Sequence, residues 1–292
     1  MRLVTFSYRG ETRIGALIAK DAQNYILDLN RADPRLPTDM IEFLKGGGTA
    51  VAAAQAAIAA ADDRWLVPQS AAAIRAPVPR PGKIICVGYN YRDHAAETSA
   101  DPAAPEYPNF FAKYANVVIG PYEPMVYPRI TIQMDYEGEL AVVIGRRGRY
   151  VDEAHALELV AGYTVFNDVT ARDYQNRTSQ WTIGKSFDTF GPMGPALVTP
   201  DEVPDPRNLD LRLTVNGQQM QNSNTRHMIF TIPCLISYLT QAITLEPGDV
   251  ISTGTPSGLG SMRQPPFWLK PGDLVNVCIE GIGELSNPII AG

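Results

Sequence analysis

The sequence predicts an α+β chain that is mainly β, and three observations carry that expectation. Short runs of alternating or continuous apolar residues recur from Leu3 to the C-terminus, which is the strand signature. Helical periodicity is confined to a few short segments. Proline then breaks the chain at RAPVPRPGK, so a boundary is expected near Pro77 to Pro81, between a small N-terminal α+β domain (1–76) and a larger domain (77–292).

From Leu3 to Leu29 the runs LVTFSY, RIGALIA and YILDL, separated by polar turns, read as a meander. Thr38 or Asp39 can cap a short helix from Met40 to Leu44, and Thr49 can cap the Ala-rich helix that follows. After the break, KIICVG is a strand running into YNYRDHAAE, where Asn90 or Asp93 can cap a helical turn. On such a turn His94 and Glu97 are i, i+3 neighbours. That spacing suits a general base with its orienting carboxylate, and it equally suits a capped surface turn. The next stretch, TSADPAAPEYPN, has no period and reads as a loop that could act as a lid.

The stretch from Asp135 to Phe190 organises the remainder. In DYEGELAVVIG the alternation of a strand projects Glu137 and Glu139 from one face. A second strand, Gly162 to Phe166, delivers Asn167 and Asp168 at its C-terminal end. Three carboxylates converging in a partly buried site repel unless a cation sits among them, and all-oxygen donors suit a hard ion such as Mg²⁺ or Mn²⁺. An isolated Glu-x-Glu is more often a polar strand face with its acids in water. Asp152 is expected to cap a helix with Ala154, Leu157, Val160 and Ala161 on its apolar face, leaving His155 on the surface. Arg172 and Gln175 leave the carboxylate region within one turn; Arg172 either binds an anionic substrate or pairs with Asp173. Gly184-Lys185-Ser186 invites a phosphate-loop reading, but the position that needs the first glycine is Ser179. Lys185 is left as a single cation near the carboxylates, or as a surface lysine.

Beyond Leu209 strands return, with Asn216-Gly217 as a hairpin turn. Thr231 can cap a helix with Pro233 in its first turn and Ile232, Leu235, Ile236 and Leu239 on one face. Ser252 to Gly258 is a loop whose glycines let backbone N–H groups approach a ligand, with Thr253 and Thr255 offering hydroxyls. Two strands are expected in VNVCIEGIGELSNPII.

With 292 residues the chain can bury a substantial core, and a formal net charge of -6 without a basic run argues against nucleic acid or an anionic membrane as partner. Small molecules or proteins remain. No apolar leader precedes the first strand, so a cytoplasmic location is expected. Cys86, Cys234 and Cys278 are expected as small buried hydrophobes, with no disulfide or zinc site.

Taken in order, YNYRDHAAE, DYEGELAVVIG, NDVTARDYQ, GKSFDT, QNSNT and STGTPSG resemble the fumarylacetoacetate hydrolase family over about residues 80–288. The resemblance implies a mixed β-roll catalytic domain, a homodimer, and Mg²⁺ or Mn²⁺ held by Glu137, Glu139 and Asp168. It implies a lid dyad of His94 and Glu97, a substrate-positioning Lys185, a loop threonine at Thr253, and substrate contacts from Arg172 and Gln175. The implied substrates are 2-oxo acids. The expected reaction is hydrolysis of a carbon–carbon bond in 2,4-dioxo acids of the acylpyruvate or fumarylpyruvate type. The alternatives are decarboxylation of oxaloacetate, isomerisation of a 2-hydroxymuconate-type diacid on the same enolate, or a non-catalytic ligand-binding relative. Two departures stand out: His227 where many relatives have Asp, and Ile183 where close relatives often have Arg.

Overall fold

The computed structural model describes residues 1–98 and 105–292, so half of the loop expected as a lid lies outside the described residues. One large mixed sheet carries the molecule. Its strands run in the order Leu66–Pro68, Gln23–Asp28, Glu11–Lys20, Arg2–Tyr8, Gly191–Val198, Val160–Asn167, Gly138–Ile144, Val250–Ser252, Ile84–Gly88 and Asn109–Lys113. The central strands Gly138–Ile144 and Val160–Asn167 are buried almost throughout, and their runs of Val, Ile, Phe and Ala match strands covered on both faces. A five-stranded sheet (Gln218–Asn224, Asp210–Val215, Leu274–Ile279, Gly283–Ala291, Met125–Tyr127) covers part of this core. The Asn216-Gly217 hairpin turn forms as expected, with positive φ at both residues.

The N-terminal meander continues the main sheet. Arg2 and Leu3 pair with Val198 and Leu197, and the buried apolar residues of both regions form one cluster. The expected boundary at 76/77 falls between the strands Ala73–Arg75 and Ile84–Gly88. Among the described residues no helix is long and apolar enough to cross a membrane.

Caps at two helices follow the sequence. Asp39 accepts from the backbone N–H groups of Ile41 and Glu42, and Thr231 accepts from Cys234 N. Other expectations are corrected. The Ala-rich helix starts at Gly47 with Gly46 as its cap, so Thr49 lies inside it. The helix expected after Asp152 is only a 3₁₀ turn, Ala156–Leu159, with Leu157 exposed. Val160 already belongs to the next strand, because the β-branched and aromatic run that follows packs better on a sheet than in a helix. Cys86 is buried, but Cys234 is half-buried and Cys278 exposed, because alternation turns Cys278 outward between buried Val277 and Ile279.

Candidate functional site

Glu137 sits between two short sheet segments, Met134–Asp135 and Gly138–Ile144, and its neighbour Gly138 pairs with Asn167. The Asn167 side chain accepts from Glu137 N (3.0 Å), while Asp168 N donates to Glu137 O (2.9 Å). This crossing of two strand ends sets Glu137 beside Asp168. Glu139, two residues on, lies on the same face; its Oε2 accepts from Ser252 Oγ (2.5 Å) and Gly254 N (2.9 Å). Gly254 takes φ +97°, and a Cβ there would meet Val87 O at 3.0 Å, so a side chain would displace the N–H that holds Glu139.

One oxygen from each of Glu137, Glu139 and Asp168 lies within 4.8 Å of the others, and all three residues are buried. Cations already crowd them. Lys185 Nζ donates to Glu137 Oε2 and Asp168 Oδ2, both at 2.8 Å, and Lys113 Nζ donates to Asp168 Oδ1 (2.5 Å) and Val169 O (3.0 Å). Arg172 Nη2 stands 2.7 Å from Glu137 Oε1. Burial, then repulsion from Asp168 and Glu137, pushes the Glu139 carboxyl well above the usual carboxylate range. Burial works the same way on Glu137, but Lys185 and Arg172 outweigh it and hold that carboxyl low. Burial opposes the charge on Lys185 as well, yet Asp168 and Glu137 raise its ammonium to about 12.

In front of these groups lies a cavity of about 360 Å³. Glu137, Lys185, Arg172, Gln175 and His94 face it, and Phe111, Trp181 and Met262 supply apolar wall. The Arg172 side chain is fixed from behind: Nε donates to Asp135 Oδ2 (2.9 Å) and Nη1 to Gln175 Oε1 (3.0 Å). The sequence offered Asp173 as a partner for Arg172; the structure gives it Asp135 and Glu137, while Asp173 accepts from Thr131. Tyr89, held at φ +58°, stacks on the His94 ring (5.8 Å between centroids) and meets Trp181 edge-on. A left-handed tyrosine costs roughly 1–2 kcal/mol, which the two ring contacts help offset.

Not every expected group converges. His94 Nδ1 and Glu97 Oε2 are 3.9 Å apart, beyond a hydrogen bond, and the Glu97 carboxylate accepts from Gly258 N instead (3.2 Å). Thr253 corrects the expectation of a substrate-facing loop hydroxyl: it is fully buried, and its Oγ1 donates to Leu140 O (2.8 Å). Thr255 lines the cavity in its place. His155 is a surface residue, as expected, and its ring pairs with Asp152. Ile183 is exposed, and His227 contacts Ser223 Oγ (3.1 Å). Sequence reasoning missed Lys113, Asp135 and Ser252. The FFAK run shows an apolar strand ending in a lysine, which resembles a strand end reaching solvent, and only the long-range pairing turns that lysine inward.

The donor set therefore passes a test for a hard divalent cation. Three buried oxygen donors converge, and a lysine ammonium already occupies a position shared by two of them. Fold and site together define an enzyme of mainly β architecture with a buried acidic centre opening on a polar cavity. The chain belongs to the fumarylacetoacetate hydrolase family: the Fumarylacetoacetate (FAA) hydrolase C-terminal domain matches residues 83–290. It is 43% identical to the mitochondrial oxaloacetate tautomerase Fahd2a of Rattus norvegicus, over 99% of this chain and 92% of that protein. Among solved structures it resembles the fumarylacetoacetate hydrolase of the psychrophile Exiguobacterium antarcticum, with TM-score 0.86 and 35% identity, covering all of both chains. It also resembles maleylpyruvate hydrolase from Sphingobium sp. SYK-6, solved with manganese(II) and pyruvate, with TM-score 0.82, 31% identity and full coverage of both. The rat relative corrects one expectation. That protein is named as mitochondrial, and the cytoplasmic reading rested only on the lack of an apolar leader, which mitochondrial targeting does not use.

Proposed function

We propose that this chain interconverts the keto and enol forms of a 2-oxo dicarboxylate, with oxaloacetate as the best-supported substrate and Mg²⁺ or Mn²⁺ as cofactor. The carrying observation is the buried carboxylate triad with Lys185 and Arg172 on the same cavity wall. The similarity to an oxaloacetate tautomerase over nearly the whole chain supports the substrate. The sequence favoured hydrolysis; the likeness to a relative named as an oxaloacetate tautomerase supports the enolisation reading instead.

Glu137, Glu139 and Asp168 would hold the cation, which supplies Lewis acidity toward a 2-oxo carboxylate and lowers the cost of enolate character at C3. The chain's own groups do the rest. Lys185, an ammonium throughout the neutral range, faces the developing oxyanion and stabilises it. Arg172, held by Asp135 and Gln175, presents a planar donor set to the distal carboxylate. His94, on the same wall, carries the proton to and from C3. Phe111 and Trp181 keep bulk water from the enolate.

The test follows the ultraviolet absorbance of enol oxaloacetate with Mg²⁺, with chelator, and with Glu137→Gln, while pyruvate is assayed in parallel. Metal-dependent loss of enol without matching pyruvate supports tautomerisation. Matching pyruvate assigns decarboxylation, and turnover confined to 2,4-dioxo acids restores hydrolysis.

A further inference from the structure

The two buried lysines at the triad differ in one respect that their shared charge conceals. Lys185 lines the cavity and bridges Glu137 and Asp168 from the front. Lys113, at the end of the strand Asn109–Lys113, has a side chain with no solvent exposure and approaches Asp168 from behind. Its ammonium is tied twice, to Asp168 Oδ1 and to Val169 O, and its strand is locked by the pairing of Lys113 with Ile84. With Oδ1 taken on the interior side, Asp168 has its other oxygen, Oδ2, turned toward Glu137 and Lys185. Charge points the same way. Three carboxylates facing one divalent ion leave one negative charge uncompensated in a buried place, where an unpaired charge is strongly disfavoured. Lys113 compensates that charge. Lys185 is then released from structural duty, so that its ammonium can turn to a bound anion.

We propose that Lys113 is a positioning residue: a fixed counter-cation that holds Asp168 with Oδ2 presented, while Lys185 is a displaceable placeholder that yields its position to a divalent ion. The inference rests on the metal-binding reading of the triad. It assigns different fates to two lysines that touch the same carboxylate.

The first test is Mn²⁺ titration by calorimetry on wild type and Lys113→Met, with near-ultraviolet circular dichroism to establish that the variant is folded. Folded Lys113→Met is expected to bind Mn²⁺ at least tenfold more weakly, with Lys113→Gln, which keeps a donor for Asp168, falling between. Unchanged affinity would make Lys113 a purely structural residue, and tighter binding would mean that it only repels the metal; either overturns the proposal. The second test needs no variant: a crystal structure of the wild type grown with Mn²⁺. The ammonium of Lys113 should remain on Asp168 Oδ1 while that of Lys185 has left the space between Glu137 and Asp168. Lys185 still bridging the two, or Lys113 displaced, overturns the proposal. If wild type binds no Mn²⁺ at all, the metal reading itself fails, which is distinct from wild-type binding that Lys113→Met leaves unaltered.

Discussion

Replacing Asp135 with Asn tests whether the cavity wall is built as described. Asp135 is fully buried and accepts four hydrogen bonds: Oδ1 from Tyr136 N (2.9 Å) and Gly260 N (3.0 Å), Oδ2 from Arg172 Nε (2.9 Å) and Ser261 N (3.1 Å). An amide of the same shape has one oxygen. Turned to keep Arg172 and Ser261, it sets an NH₂ group against the N–H groups of Tyr136 and Gly260. Two buried donors then lack acceptors, at about 1–3 kcal/mol each. Arg172 also loses a full counter-charge in a site nine-tenths buried, and breaking a buried pair costs roughly 3–5 kcal/mol. These contributions overlap, so a loss of about 4 kcal/mol is expected. That corresponds to roughly 6 °C in Tm for a chain of this size. Urea unfolding and calorimetry measure the loss, and the KM for oxaloacetate should rise as Arg172 loses its anchor. A loss under about 1 kcal/mol, with KM unchanged, would mean that neither the four bonds nor the arginine depend on the charge.

Three further outcomes follow from the same geometry. Lys185→Met should lower kcat by about 100-fold or more, the usual effect of removing an oxyanion-stabilising donor, while Mn²⁺ binding measured by calorimetry persists. Because burial and like charge push Glu139 up, that carboxyl gives up its proton at a higher pH than an ordinary glutamate. Metal binding should then release protons and tighten as pH rises toward that raised value, as read by calorimetry in two buffers of different ionisation enthalpy. The linkage sign is that of an acid whose folded pKa exceeds its unfolded one: stability of the metal-free protein attributable to Glu139 falls as pH rises between the two values. Asn90→Ala should cost about 3 kcal/mol in urea unfolding. It removes bonds from Nδ2 to Thr253 O (2.8 Å) and Phe230 O (3.1 Å) and to Oδ1 from Phe230 N (2.7 Å), which tie the metal-side loop to the helix Ile232–Ala242.

What the sequence discloses and what it conceals divide along sequence separation. Glu137, Glu139 and Asp168 were legible because alternation and strand ends are local properties, and the crossing at Gly138 and Asn167 realises the same convergence. The Asp39 and Thr231 caps and the Asn216-Gly217 turn are local too. Lys113 could not be seen as a site residue, because its meaning comes from Asp168, 55 residues away. Asp135 is 37 residues from Arg172, and Ser252 is 113 residues from Glu139. The joining of the meander to the main sheet rests on pairing between Leu3 and Leu197, which no window of sequence contains. Thr253 shows a subtler limit: its place in the loop was legible, but the direction of its hydroxyl was decided by Leu140 O on a neighbouring strand.

The proposed enolisation at C3 depends on a metal at the triad and on the residues around its cavity. Proton NMR of oxaloacetate in D₂O measures that step directly, as loss of the C3 proton signal above the uncatalysed background. Exchange is expected to require Mg²⁺ or Mn²⁺, to stop with chelator, and to be lost in Glu137→Gln. Exchange at the background rate with the metal demonstrably bound would contradict it.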